Sequence, residues 1–313
     1  MSKRFGITGV AGYIAPRHLR AIKDTGNNLI AALDPHDAVG VLDAYFPNAD
    51  FFTETERFDR HLEKLKRVGD GKGIDYLSIC SPNYLHDSHI RMALRLGANA
   101  ICEKPLVLNP WNLDLLEEIE TESQRKIFTV LQLRLHPSIL VLKKGQINLK
   151  KKAVVELTYI TSRGNWYSYS WKGDLERSGG IASNIGIHFF DVLLWIYGDV
   201  QNSELHFSSH STMSGFLELE HATINWFLSI DGDSLPTECL QKGQRTFRCI
   251  NVDGKELEFS DGFTDLHTMV YEDVLSGNGF GVNDARPSVI LAHAIRSMAV
   301  NKSAATSIHP FLK

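Results

Sequence analysis

Phe5-Gly6-Ile7-Thr8-Gly9-Val10-Ala11-Gly12-Tyr13-Ile14-Ala15 is the stretch that decides the fold, because a short apolar run breaks into glycines and passes into a helical pattern. A strand, a tight turn and a helix start in that order open a βαβ unit. Glycines in such a turn let the backbone approach a pyrophosphate, whose charge is favoured by the N–H groups and dipole of the helix N-terminus. The spacing Gly9, Gly12, Ala15 is one residue longer than the usual first gap, with Ala11 where a middle glycine is expected. The turn alone therefore identifies no ligand.

Asp34 adds to it. A second apolar run, Leu29-Ile30-Ala31-Ala32-Leu33, ends in this residue at the distance expected of the acid that bonds an adenosine ribose. A carboxylate accepts from ribose hydroxyls and repels a 2′-phosphate, so the expected cofactor is NAD and not NADP. Asp34 also suits a turn or cap before Pro35, and the two roles are compatible.

Working outward, apolar runs at 5–8, 29–33, 51–52, 76–80, 99–102 and 127–131 alternate with amphipathic stretches from 14 and at 38–45, 57–68, 85–96 and 111–123. Such alternation predicts a parallel sheet wound on both faces. Gly69, Gly71 and Gly73 mark a loop within it. After Leu133 the pattern changes to a helix at 138–144 and β-rich runs at 153–159, 205–209, 216–219, 222–230, 246–252 and 256–259. These predict a mostly antiparallel sheet, interrupted by a helix at 181–197 and closed by one at 288–300. The expected class is α/β: a doubly wound dinucleotide-binding domain over 1–125, then a second domain over 126–313 built on a large, mostly antiparallel sheet with helices. Lys150-Lys151-Lys152 reads as a solvated loop.

A chain of 313 residues exceeds what one hydrophobic core usually organises, in keeping with two domains. A net charge of −4 argues against a nucleic-acid or anionic-membrane partner. No apolar stretch approaches membrane-spanning length and the start leads straight into a core strand, so the chain is expected in the cytoplasm. There Cys80, Cys102, Cys239 and Cys249, which lack paired metal-ligand spacing, are expected to be reduced. His86 and His89 lie close together without a carboxylate or cysteine cluster and read as helix-surface histidines, and no metal is expected.

Two constellations carry chemistry. Glu103-Lys104-Pro105 follows the run 99–102 and so plants an ammonium where a parallel strand ends, the ligand-binding edge of an open α/β sheet. A partly desolvated amine can have its pKa lowered toward acid–base work; a surface lysine before a helix-starting proline fits the tripeptide equally. The second lies in Gly179-Gly180-Ile181-Ala182-Ser183-Asn184-Ile185-Gly186-Ile187-His188-Phe189-Phe190-Asp191. Asn184, His188 and Asp191 are spaced by four and three and share one face of a regular helix. A polar stripe among large apolar residues needs a task or partners, and a histidine satisfied by Asp191 or a backbone carbonyl would also answer that need.

Together the glycine turn, Asp34, Ser81-Pro82-Asn83 with His86, Glu103-Lys104-Pro105 and the Gly186-x-His188-x-x-Asp191 helix resemble the Gfo/Idh/MocA oxidoreductase family over essentially the whole chain. The resemblance implies an N-terminal Rossmann domain, a C-terminal α/β domain whose open sheet mediates assembly, commonly into a homotetramer, and a nicotinamide flanked by Lys104 and His188. It assigns NAD to Gly9, Ala11, Gly12, Tyr13, Ile14, Asp34, Ser81, Pro82, Asn83, His86, Glu103, Lys104 and Gln132. Within the family, residues 11–18, 161–166 and 170–173 are similar to enzymes that oxidise UDP-N-acetylglucosaminuronic acid at C3′ and supply a 3-keto sugar to an aminotransferase in lipopolysaccharide O-antigen assembly. Asn184, where the family often has aspartate, also resembles that subgroup.

A secondary alcohol needs a base, a donor beside the developing alkoxide, and nicotinamide C4 near the carbinol hydrogen. His188 suits the base by its near-neutral ordinary pKa, with Lys104 on the alcohol oxygen; the reverse assignment stays open. The expected substrate contacts are Asn184 and Asp191 from the helix, with Arg163 and Lys172 facing the uronate or diphosphate. Trp166, Tyr167, Tyr169 and Trp171 suit stacking on uracil or packing between subunits. Two further readings stand: a family dehydrogenase of a free sugar, inositol or another polyol, and a dinucleotide-sensing regulator without catalysis on the same fold.

Overall fold

The computed structural model describes residues 2–145, 151–257, 265–301 and 308–312. The chain forms two compact units, one of Met1–Gln132 with Thr264–Arg286, the other of Leu133–Phe263 with Pro287–Lys313. The first begins β1 (Arg4–Thr8), α1 (Ala15–Asp24), β2 (Asn28–Leu33), α2 (Val41–Tyr45), β3 (Asp50–Phe52), α3 (Thr55–Val68), β4 (Tyr76–Ile79), α4 (His86–Arg95), β5 (Asn99–Cys102), α5 (Trp111–Ser123) and β6 (Ile127–Thr129). The chain continues with α6 (Pro137–Gly145), β7 (Ala153–Thr161), α7 (Trp166–Tyr169), α8 (Leu175–Ser178), α9 (Ile187–Tyr197), β8 (Val200–Ser208), β9 (Thr212–Leu219), β10 (Ala222–Ser229), α10 (Thr237–Gln241), β11 (Thr246–Val252) and β12 (Lys255–Glu256). It ends with α11 (Leu266–Leu275) and α12 (Val282–Ser297).

In the first unit the strands lie in the order β3-β2-β1-β4-β5-β6, all parallel. Their sequences are nearly continuously apolar because helices cover both faces; β4 is buried at every position. Helix α1 buries Ala15, His18, Leu19, Ala21 and Ile22, a stripe of helical period, and starts with Pro16 in its first turn, where a missing N–H costs nothing. The expected border at 125/126 is displaced, since β6 pairs with β5 inside this sheet and the unit runs to Gln132. The unit also reclaims α11, which the sequence reading left without an element and which packs on α1 through Leu266, His267, Val270, Tyr271 and Val274.

The second unit holds the order β12-β11-β7-β10-β9-β8, antiparallel except for β7 beside β10. Alternation along β9 and β7 gives this sheet two unlike faces. One is packed by α9, where Phe189 meets Tyr159 and Phe190 meets Trp226 edge to face. The register brings the other together from Phe216, Asn225 and Glu156 beside Glu218, Thr223 and Val154, and Phe216, Glu218, Thr223, Val154 and Glu156 are not fully buried. Its far end is covered by the short helical turn Pro310–Leu312, with Phe227 stacked on His309 and against Phe311.

Further expectations change. His86 and His89 are buried, not on the helix surface. Leu175–Tyr197 is long and apolar enough to cross a membrane, contrary to the composition reading, yet 72% of its most apolar window is buried within the protein, as befits a core helix. All four cysteines are free thiols. The last part of the strand expected at 256–259, and Lys150 of the lysine run, lie outside the described residues.

Candidate functional site

In the first unit the strand order reverses between β1 and β4, and both strands end at the same edge. This is the switch point where ligands bind in such sheets. A Cβ on Gly9 would lie 2.5 Å from the carbonyl carbon of Cys80 and 2.6 Å from the Ser81 nitrogen, and its φ is +78°. Gly9 is thus demanded by the protein's own backbone. The N–H groups of Gly9 and Val10 donate to the Leu33 carbonyl at 2.8 and 3.3 Å, that of Ala11 to Asp34 Oδ2 at 3.0 Å, and that of Gly12 to the Gly9 carbonyl at 3.0 Å. The N–H groups of Tyr13 and Ile14 follow at the mouth of α1, where a helix N-terminus favours phosphate.

Asp34 takes the turn role foreseen for it. Its Oδ1 accepts from the His36 backbone at 2.9 Å and from His36 Nδ1 at 3.2 Å, while Oδ2 accepts from Ala11. A carboxylate offers about four lone-pair sites, so one remains for a ribose hydroxyl. His36 escaped the sequence reading, although an aspartate bonding two residues on is what Asp34-Pro35 signals. At the end of β6, Gln132 Oε1 is buried with no partner among the described residues, an acceptor awaiting a donor such as a ligand amide or hydroxyl. The turn, Asp34 and Gln132 fit a dinucleotide.

The loops after β4 and β5 are tied together. His86 is fully buried with Nδ1 2.7 Å from the Pro105 carbonyl and Nε2 2.9 Å from the Ser81 carbonyl. Burial holds its pKa below the ordinary value against the pull of these carbonyls and of Glu103. Ser81 Oγ lies 2.8 Å from His89 Nδ1, and burial lowers the pKa of His89 to about 4, so the imidazole is neutral. Asn83 is buried at the start of the turn Asn83–Leu85, and Pro82 is half-buried. Through 101–108 every residue is buried except Lys104, which is half-buried, and the Lys104-Pro105 bond is cis. Glu103 turns inward: Oε1 lies 2.9 Å from His18 Nε2 and 3.0 Å from His267 Nε2. Burial pushes the Glu103 carboxyl up, but these two donors outweigh it and leave the pKa well below the usual range.

In the second unit the helix containing Asn184 and His188 is irregular. Ala182–Gly186 winds as a π-helix before α9 begins, so the assumed α-spacing of Asn184 and His188 is broken between them. Through 181–194 only these two residues are half-buried; all others are buried. Asn184 Nδ2 donates to Tyr167 Oη at 2.6 Å. Burial lowers the pKa of Lys172, and the charge of the Arg163 guanidinium lowers it further; Lys172 also lies over the Trp171 ring. Trp166 and Tyr169 are exposed and Tyr167 is buried.

Asp191, expected to contact substrate, is paired with a residue of the same unit. Arg134, absent from the sequence reading, donates from Nε to Oδ2 at 2.9 Å and from an Nη to Oδ1 at 2.7 Å, and both side chains are almost wholly buried. A bidentate pair of this kind fixes α9 and leaves the carboxylate away from solvent. No local signal in the sequence pairs positions 57 residues apart.

Two family models match the chain: the Gfo/Idh/MocA oxidoreductase family's NAD-binding Rossmann fold over residues 3–131, and its C-terminal alpha/beta domain over 144–226. Among solved structures, the WlbA (WbpB) dehydrogenase from Thermus thermophilus in complex with NAD and alpha-ketoglutarate is 52% identical, with a TM-score of 0.96 and full coverage of both chains. The same dehydrogenase in complex with NAD and UDP-GlcNAcA is 51% identical at a TM-score of 0.95, again over 100% of both chains. Inositol 2-dehydrogenase of Rhizobium meliloti (strain 1021) is 27% identical over 202 residues, 64% of this chain and 56% of its own length. The matched part is thus little over half of that relative.

Proposed function

The chain belongs to the Gfo/Idh/MocA oxidoreductase family, and from that premise we propose that it oxidises the C3′ hydroxyl of UDP-N-acetylglucosaminuronic acid with NAD. The observation that carries this reading is its likeness, over full length and at about half identity, to a dehydrogenase seen with NAD and UDP-GlcNAcA. The 3-keto product would feed an aminotransferase in surface-polysaccharide assembly. The protein acts in the cytoplasm as a homotetramer, for which free thiols and the half-exposed face of the second sheet speak.

Bound NAD supplies the hydride acceptor at nicotinamide C4. Tyr13 and Ile14 would receive its pyrophosphate, Asp34 the adenosine ribose, and Gln132 a polar group of the cofactor. His188 takes the hydroxyl proton and Lys104 stabilises the negative charge left on the oxygen. Each is a half-buried polar side chain on a segment otherwise buried, where a catalytic group gains from reduced solvent screening. Asn184, steadied by Tyr167, bonds substrate hydroxyls without adding charge, and the cations Arg163 and Lys172 meet the uronate or the diphosphate.

NADH absorbance at 340 nm, followed with UDP-GlcNAcA, UDP-GlcNAc and myo-inositol, tests the substrate. The uronate alone should support turnover; equal rates with inositol would sink the nucleotide-sugar reading. Lys104→Ala and His188→Ala should each lower turnover by about 10²- to 10⁴-fold while NAD still binds. Near-normal turnover in either variant removes that residue from catalysis.

A further inference from the structure

Lys104 carries its ammonium on a flexible four-carbon stem, and such a group acts reliably only where its surroundings fix it to within a fraction of an ångström. The backbone around it is held on both sides. Downstream, His86 bonds the Pro105 carbonyl. Upstream, the Glu103 N–H donates to the Ile79 carbonyl at 3.0 Å, and the Lys104 N–H to Glu103 Oε2 at 3.3 Å. We propose that Glu103 is a positioning residue for Lys104, pinned by His18 of α1 and His267 of α11, so that α11 belongs to the catalytic apparatus. This rests on the reading of Lys104 as a catalytic group.

The protons of the network can be assigned from its one acceptor-only member. An ionised Glu103 accepts at Oε1, so His18 and His267 both donate from Nε2. Neutral His18 then accepts at Nδ1 from Tyr271 Oη at 2.8 Å, and Tyr271 in turn accepts from Ser78 Oγ at 2.6 Å. His267 Nδ1 is buried without a partner among the described residues, where a bare lone pair is tolerated better than an unpaired N–H. All five side chains are buried. A carboxylate taken so far from water is costly unless fully bonded, and here its second oxygen ends on the backbone N–H of Lys104. The same three side chains offer two imidazoles and a carboxylate with their ligand atoms within 4.8 Å of one another, a donor set that would also suit a divalent metal. One oxygen shared by two nitrogens at 2.9 and 3.0 Å has the lengths of N–H···O bonds, which is why the proton-bridged form is preferred.

The test compares His267→Leu, which removes the donor, with His267→Gln, whose side-chain amide can place an N–H near the lost Nε2. NADH formation, KM for NAD and thermal midpoint are measured with UDP-GlcNAcA, with Lys104→Ala in parallel. His267→Leu should lower kcat about tenfold, the scale of a slightly misplaced catalytic group, with KM for NAD changed less than about twofold. His267→Gln should recover most of kcat at the same thermal midpoint as the leucine variant. Should the leucine variant not fold, Tyr271→Phe takes its place, with about a threefold loss expected when His18 loses its donor. Unchanged kcat in the leucine or phenylalanine variant, or equal losses in the leucine and glutamine variants, overturns the positioning role while leaving Lys104 standing if Lys104→Ala is inactive. A normal Lys104→Ala overturns the reading beneath it as well. One equivalent of divalent metal per chain that is lost in His267→Leu also overturns the proposal, in favour of a metal centre.

Discussion

Gly9 shows how a single position serves the fold before it serves a ligand. Its positive φ is costly for any residue with a Cβ, and that Cβ would also collide with the backbone of Cys80 and Ser81, which cannot swing aside as a side-chain tip can. Gly9→Ala is therefore expected to lower the unfolding free energy by about 3 kcal/mol, combining the conformational penalty with overpacking. Gly12→Ala, whose Cβ would meet the Gly9 carbonyl oxygen at 3.0 Å and that of Cys80 at an ordinary 3.7 Å, should cost about 1 kcal/mol or less. Urea denaturation of the two variants checks the contrast, and equal losses would mean the turn adjusts freely. The sequence marked these glycines as a phosphate-binding turn, and the turn is there. What it hid was the partner at Cys80, since a contact seventy residues away leaves no local trace. Asp34 was more legible because its bonds to Ala11 and His36 are made within the motif and the turn that announced it.

At the scale of the element, the helix through Asn184 and His188 was legible as an apolar segment with a polar stripe, but not in its winding. A one-residue excess inside a helix leaves the same composition and nearly the same period, so Ala182–Gly186 reads as α until its hydrogen bonds are seen. The stripe also divides in burial. Asn184 and His188 reach a partly open surface, while Asp191 is turned into the core and held by Arg134. That pair sets a testable cost. Arg134→Met removes the cation from a buried carboxylate and should destabilise by about 3–5 kcal/mol, whereas Arg134→Met with Asp191→Leu should recover most of the loss, because the buried charge is removed with its partner. Thermal or denaturant unfolding of both variants decides. A double variant no more stable than the single one would show that the pair contributes packing shape that the apolar side chains cannot replace.

At the scale of the whole molecule, the two-unit organisation was legible because a change from βα alternation to β-rich runs is written in hydrophobic period. The return of α11 was not, since its pattern of Leu266, Val270, Tyr271 and Val274 is short and the sequence does not say which unit it joins. Both units carry a buried neutral histidine, and this makes stability depend on pH in a definite direction. Burial lowers the pKa of His89 in the first unit and of His309 in the second to about 4 each, from an ordinary 6.5. His89 is hydrogen-bonded to Ser81, and His309 is held against Phe227 with Thr158 Oγ1 at 3.2 Å from its Nε2. Between pH 6.5 and 4 the unfolded chain binds protons at these positions that the folded chain refuses, so stability rises with pH through that window. The contribution is complete above pH 6.5 and is lost as pH falls toward 4, to the extent of about 2–3 kcal/mol for each histidine. Glu103 acts lower on the scale: its folded pKa lies well below the ordinary carboxylate value, so its share is lost only as pH falls beneath about 4.5. Calorimetric unfolding at pH 7 and pH 5 should show a falling midpoint, and His89→Leu, which has no proton to bind in either state, should flatten the slope for the first unit while lowering its midpoint at pH 7. A slope unchanged by that substitution would assign the acid sensitivity to other groups.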